Sequence, residues 1–244
     1  MNLKRPLSVF GLLLGVLSCQ AFTLSPISAT LEPKGYGTST GFRLDNESSN
    51  RVAFQVSMVT REPDEEGNET QLPATNLFTV FPPLGIIAPG QKQNIRLVWK
   101  GPSNPTNELS YRIVAEELPV DFQPGRTEKA QSHIQVLIRY KGTIYVRPKN
   151  AKSQLRVISL TKVGSPGGTS YQLVITNEGN AHQGLGNTVL SLTDAQGQKT
   201  DIPAGQLPTV AGENILARHT RRFLVTLPSN LKEQDYHAQI HLEE

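Results

Sequence analysis

The sequence predicts an all-β chain built as two β-sandwich domains. Three observations carry this: strand-period runs fill most of the chain, turn-rich pieces such as "DEEGNE", "APGQ", "SPGG" and "DAQGQ" separate them, and no long amphipathic helix pattern interrupts. The runs are short and favour β-branched and aromatic residues, the pattern of sandwich strands.

In chain order, residues 1–21 read "MNLKRPLSVFGLLLGVLSCQA". Lys4 and Arg5 precede an apolar centre from Val9 to Leu17 and small residues up to Ala21, the layout of a secretory signal peptide with a mature start at Phe22. That centre is much shorter than the ~20 residues of a spanning helix, which favours cleavage over anchoring. The "VLSC" piece weakly resembles a lipoprotein site at Cys19, whereas the small residues at Cys19 and Ala21 suit ordinary cleavage. Cys19 is the only cysteine, so the exported part must hold together by burial and strand pairing without a disulfide. Loss of Lys4 and Arg5 takes the charge balance from 24 bases against 21 acids to 22 against 21. The pI of about 9.0 then says little about nucleic acid, because no basic block with interleaved aromatics is present to follow phosphates.

The first set of runs is "GFRLDN", "VAFQVSMV", "FTVFPP", "NIRLVWK", "SYRIVAEEL", "IQVLIRY" and "TIYVRP". The second is "LRVISLTKV", "SYQLVITN", "TVLSLTD", "RRFLVTL" and "HAQIHL". Each set can build one sandwich of roughly 100 residues. Pro148 ends a strand at "RPKNAKS" and polar residues follow, so the expected domains are 22–148 and 149–244. The polar stretch 119–133, with Pro124 and Gly125, is the longest insertion in the later half of the first domain. It reads either as a solvated hairpin connection or as a functional loop.

"IQVLIRYKGTIYVRP" then poses a choice. Alternation puts Ile134, Val136, Ile138 and Tyr140 on one face and Gln135, Leu137, Arg139 and Lys141 on the other. A core strand shows this pattern, and so does a strand whose first half projects beyond its own sheet to be shared with another protein.

In this order and approximate spacing, "FTLSPISATLEPKG", "FRLDNES", "IIAPGQKQNIRLVWKG", "NELSYRIVAEELP", the loop 119–133 and "IQVLIRYKGTIYVRP" resemble the first domain of periplasmic pilus-assembly chaperones of the chaperone-usher pathway, the PapD-like superfamily. The later part, with "LVITNEGNAH" and "GQLPTVAGENILARHTRRF", matches more loosely. The resemblance implies two immunoglobulin-like domains in a boomerang and an ATP-independent periplasmic chaperone with no cofactor. Its partners would be pilus or fimbrial subunits and an outer-membrane usher, with a self-capping homo-oligomer as a further option. It also implies donor-strand complementation, in which the chaperone lends a strand to a subunit that lacks one. Alignment on Pro148 puts Ile134, Val136 and Ile138 at the donor positions, with Tyr140 following on the same face.

Better-known members hold the subunit's terminal carboxylate with an Arg on the first strand and a Lys on the donor strand. Ser28 and Thr143 stand there in this chain, and the wording of its strands looks like the archaic or alternative branch. A carboxylate still favours a charge-assisted partner, and Lys141, Arg96 and Arg112 are the candidates. The resemblance also maps Glu108 and Arg147 onto the family's interdomain ionic contact, with the second-domain partner unassigned.

Other constellations carry less. His237 and His241 share a strand face about 13 Å apart, too far for one metal, and read as surface residues. The acids Glu62, Asp64, Glu65, Glu66 and Glu69 lack a full calcium-loop signature and read as a solvated hairpin. No nucleophile elbow or glycine-rich phosphate loop argues for an enzyme. The competing functional class is a secreted two-domain structural or adhesive component of a surface fibre.

Overall fold

The computed structural model describes residues 22–120, 122, 136–165 and 168–243. Its first part contains β1 (Phe22–Ser25), β2 (Ser28–Leu31), β3 (Ser39–Asn46), β4 (Val52–Thr60), β5 (Glu62–Pro63) and β6 (Glu69–Thr70). These are followed by β7 (Phe78–Phe81), β8 (Leu84–Ile87), β9 (Lys92–Trp99), β10 (Leu109–Leu118) and β11 (Arg139–Val146). A four-stranded sheet β1-β3-β9-β7 faces a five-stranded sheet β2-β11-β10-β4-β8, and β5-β6 is a separate hairpin. Between the sheets lie alternate apolar residues of each strand, among them Phe42, Leu44, Phe54, Met58, Ile95, Leu97, Ile113 and Ile144. Each such side chain removed from water is worth about 1.5–3 kcal/mol. Phe78 packs edge-on against Trp99 and Tyr111, with ring centroids 5.0 Å apart in both cases, and closes one end of this core.

The second part contains β12 (Leu155–Ser165), β13 (Gly168–Asn177), β14 (Gln183–Gly184), β15 (Thr188–Thr193) and β16 (Lys199–Pro203). After a single helical turn α1 (Pro208–Ala211) come β17 (Asn214–Ile215), β18 (Thr220–Val225) and β19 (His237–Leu242). The sheets are β12-β13-β18, β16-β15-β19 and the short pair β14-β17. They enclose a second core around Leu173, Ile175, Leu185, Leu190, Leu192, Ile202 and Phe223. The chain is therefore two immunoglobulin-like sandwiches, and the sheet pairing of the first ends at Val146 while that of the second starts at Leu155.

Several runs read differently in three dimensions. The end of "IQVLIRY", from Arg139, and "TIYV" belong to one strand, β11, rather than two. The strand β8, "LGII", was hidden beside Pro82 and Pro83, and β2 is a short strand that pairs in parallel with β11, Ser28 opposite Thr143 through Leu31 opposite Val146. The acidic run does form a hairpin, with Glu62 opposite Thr70.

Both sandwiches use one device, at the end of β3 in the first and of β13 in the second. Asn46 and Asn177 are each followed by Glu and are each almost fully buried. The Asn46 amide lies within 2.8–3.1 Å of the carbonyls of Asn50, Ile87 and Ala88, and its Oδ1 accepts from the Ser48 N–H. Asn177 donates to the carbonyls of Ala181 and Ile215 at 2.7 and 3.1 Å and accepts from the N–H groups of Gln154 and Gly179, both at 3.0 Å. Gly179 in that turn is obligatory for space, since a Cβ there would stand 2.2 Å from the Lys152 carbonyl oxygen. Asn177→Ala strands several buried backbone groups and is expected to cost about 3 kcal/mol, read as a lowered urea midpoint of the intact chain.

Candidate functional site

A cleft of about 620 Å³ opens where the two sandwiches meet, and residues of both line it. Strand register builds its first-domain wall. Arg112 on β10 lies opposite Thr143 on β11, and Thr143 lies opposite Ser28 on β2, so the three sit abreast at the cleft end of the sheet. Arg112 donates through Nη1 to the Thr143 hydroxyl. Arg61 follows the end of β4, donating at 3.2 Å to the Tyr145 hydroxyl and at 3.0 Å to Asn214 Oδ1 of the second domain. Asn214 returns a hydrogen bond to Tyr145 at 2.7 Å, so Tyr145 is shared by both domains.

Glu69, on the hairpin β5-β6, sits between the two arginines. Its Oε1 accepts from Arg61 Nε at 2.6 Å and from Arg112 Nη2 at 2.5 Å, and its Oε2 accepts from Arg112 Nε at 3.0 Å. The three side chains are only 9%, 16% and 19% exposed for Arg61, Glu69 and Arg112, so these charges depend on one another rather than on water. Burial opposes ionisation of Glu69, but the hydrogen bonds from Arg112 and Arg61 outweigh it and hold the carboxyl at about 2.

The same hairpin reaches the second domain. The Arg222 N–H donates to the Glu65 carbonyl at 2.7 Å, and the Arg222 guanidinium pairs with Glu65 and Glu66 at 2.5 and 2.8 Å. Gly67, at φ 92°, packs so closely on Arg221 that a Cβ would lie 2.3 Å from Nη2. The expectation of a solvated hairpin therefore fails for Glu69, because charge density alone does not reveal that two guanidiniums wait beside it.

Beyond the cleft, Glu108 bridges the two domains. Its side chain is 1% exposed and accepts from Arg147 Nε, from His182 Nδ1 at 2.5 Å and from the His182 backbone N–H at 3.1 Å. His182 in turn stacks on Tyr145 with centroids 3.6 Å apart. Burial works against the charged form of Glu108, and the bonds from His182 and Arg147 overcome it, lowering the carboxyl below its ordinary range. His182 supplies the second-domain contact that the sequence left unassigned, and only a histidine within hydrogen-bond reach of an acid in space could have signalled it.

The other named residues are dispersed. Ile134 lies outside the described residues. Val136 is 75% exposed, whereas Ile138 and Tyr140 are partly buried against the first domain's own core, Tyr140 with its ring 6.3 Å from Phe22. Of the basic candidates, Arg112 lines the cleft. Arg96 is corrected: it is exposed on β9 in the opposite sheet, facing Gly41 and Phe81 across the ladders, because a basic residue's place along one strand does not decide which sheet that strand joins. Lys141 is exposed, about 7 Å up β11 from Thr143, and does not line the cleft. Arg61, Asn214 and Arg221 line it without having been singled out in the sequence. His237 and His241 are exposed on β19. Among the described residues no group of three His, Cys, Asp or Glu side chains could hold a metal ion.

Two outcomes follow from this geometry. Glu69 keeps its charge in the fold to about pH 2 while the unfolded chain takes up the proton nearer 4.5, so its stabilisation is full above pH 4.5 and is lost as pH falls through 2. Glu69→Gln should accordingly flatten the fall in urea midpoint between pH 5 and pH 3. Glu108→Ala leaves Arg147 and His182 without their shared acceptor, and calorimetry should then resolve two separate domain transitions where the parent chain is more coupled.

Over residues 30–152 the chain matches the model of the pili and flagellar-assembly chaperones, PapD N-terminal domain. The sequence matches no curated protein at a significant level. Among solved structures it is similar to the class 5 fimbriae chaperone CfaA, with 18% identity and a TM-score of 0.55 over 92% of this chain and 99% of that one. It is similar also to the Escherichia coli chaperone DraB, at 18% identity and TM-score 0.54 over 86% and 85% of the two chains. A third likeness, at 16% identity and TM-score 0.51 over 83% and 89%, is to the CsuC-CsuE chaperone-tip adhesion subunit pre-assembly complex of Acinetobacter baumannii. At these identities the structural likeness is one of fold, and the family match supplies the assignment: the chain belongs to the pili and flagellar-assembly chaperone family.

Proposed function

We propose that this chain works in the periplasm, capturing pilus or fimbrial subunits by lending them the strand that leads into β11 and passing them to an outer-membrane usher. One observation carries the reading. Val136 stands 75% exposed at the start of an apolar face that Ile138 and Tyr140 continue into the domain's own core. β2 pairs only with Thr143–Val146, which leaves Arg139–Gly142 without a described strand on that side. An extended guest can add there by backbone hydrogen bonds while its sandwich receives Ile134 and Val136, with Ile138 at the boundary between the guest and the domain's own core. Such an unpaired apolar edge also gives a second copy of the chain a reason to cap it in the free protein.

In this reading Arg112, beside Thr143, takes the place of the missing Arg and Lys as a holder of the guest's terminal carboxylate, and the same departure favours the archaic or alternative branch. Glu108 and Arg147, with His182, set the angle between the domains 22–148 and 149–244. The reading of a structural fibre component is less favoured, since a sandwich of four and five paired strands has no strand to receive.

Co-expression with a candidate pilin in a periplasm tests the lent strand. Val136→Asp and Ile134→Asp, made singly, should each reduce co-purified pilin about ten-fold or more, as the loss of one pocketed aliphatic side chain implies. Equal capture by folded variants and parent would make the segment an ordinary strand approach.

A further inference from the structure

Arg61, Arg112 and Arg221 line the cleft against the acids Glu69 and Glu213, and one donor of Arg221 is idle. Arg221, on β18, is 7% exposed; Nη2 donates to Glu213 at 3.0 Å, while Nε is buried with no hydrogen-bond partner among the described residues. It lines the same cavity as Arg61 and Arg112. A buried guanidinium nitrogen without an acceptor is costly, and a carboxylate is the acceptor that suits it best.

The occupant already on the other two arginines is itself a carboxylate. Glu69 makes with Arg112 the forked contact that a guanidinium makes with a terminal carboxylate, one oxygen on Nη2 and the other on Nε. The hairpin that carries it is slight. β5 and β6 have two residues each, and the tip is held by Arg222 pairing with Glu65 and Glu66, side chains 41%, 46% and 54% exposed. Exposed pairs of this kind contribute little, so beyond the Arg222 N–H bond to the Glu65 carbonyl and the packing of Gly67 on Arg221 the hairpin's hold on the second domain is slight.

We propose that Glu69 is an internal stand-in for a peptide's terminal carboxylate, and that binding at this cleft is an exchange in which the incoming carboxylate takes Arg61 and Arg112 from Glu69 and adds Arg221 as a third donor. The hairpin 62–70 is thus a plug that keeps the arginines ordered and paired in the empty protein and sets how much affinity a guest must bring to load. This rests on the subunit-capture reading, which it deepens by giving the cleft a resident competitor.

The probe is an N-acetylated apolar peptide, Ac-Val-Thr-Val-Thr-Val, made with a free carboxylate and as its amide, titrated into the full exported chain. In Glu69→Gln, which keeps shape and loses charge, the free acid should bind about ten-fold tighter than to the parent, with no gain for the amide. Arg222→Glu, which frees the hairpin tip without touching the arginine pair, should give a smaller gain in the same sense and covers the case in which Glu69→Gln fails to fold. Glu69→Gln combined with Arg112→Gln should lose the gain. An unchanged preference for acid over amide in both single variants would overturn the exchange and leave the ion cluster as a purely structural lock. An equal gain for the amide would do the same, since it reports only a looser cleft. Pilin co-purification keeps the two readings apart: capture that depends on Val136 while the acid preference stays fixed leaves the chaperone reading intact and removes the plug.

Discussion

A carboxylate almost sealed from water governs how the two sandwiches meet. Glu108 can remain charged at 1% exposure only because Arg147 and His182 approach it together, one from the end of β11 and the other from the second domain. Its own N–H donates to the Asn180 carbonyl at 2.9 Å, so backbone and side chain are both committed across the joint. Moving either domain away would abandon a buried charge, which is a steeper penalty than any exposed ion pair at this interface could impose.

The joint and the cleft are parts of one network, with Tyr145 between them. One face of its ring stacks on His182, and its hydroxyl receives Arg61 and Asn214. From Arg61 the contacts run to Glu69 and on to Arg112 and Thr143. A change in the cleft's charges is therefore only a few contacts from the Glu108–His182 contact between the domains. The two acids are alike in physics and unlike in setting: Glu108 is locked at a junction, whereas Glu69 rides on a hairpin of two-residue strands.

Much of the fold was legible because strand period and turn residues are local signals. The long strands β3, β4, β9, β10, β12 and β13 all lie on runs whose alternation is plain in the sequence. Short strands were harder: β8 has four residues beside two prolines, and β2 is defined by a parallel partner more than 100 positions away. Family order supplied the positions of Glu108 and Arg147, whereas Arg112 stood out only as one of three basic residues able to meet a carboxylate. Arg61, His182 and Arg221 come together through tertiary contacts between segments distant in sequence, and no periodicity encodes that. Arg96 shows the converse limit, since a correct face along one strand still left the sheet undetermined.

The parallel pairing of β2 with β11 sets a ruler along the free edge of the first domain. β2 occupies that edge from Thr143 onward, and the Thr143 N–H is already given to the Ile27 carbonyl at 2.8 Å. An extended guest running in the same sense as β2 must stop where β2 begins. The proposed guest's last residue would then lie beside Ser28 and Thr143, which stand in line with Arg112. Under the proposed capture of a subunit strand, the edge would measure as well as pair: a guest one residue too long would collide with β2, and one too short would leave its terminal charge stranded along β11, out of reach of the guanidiniums.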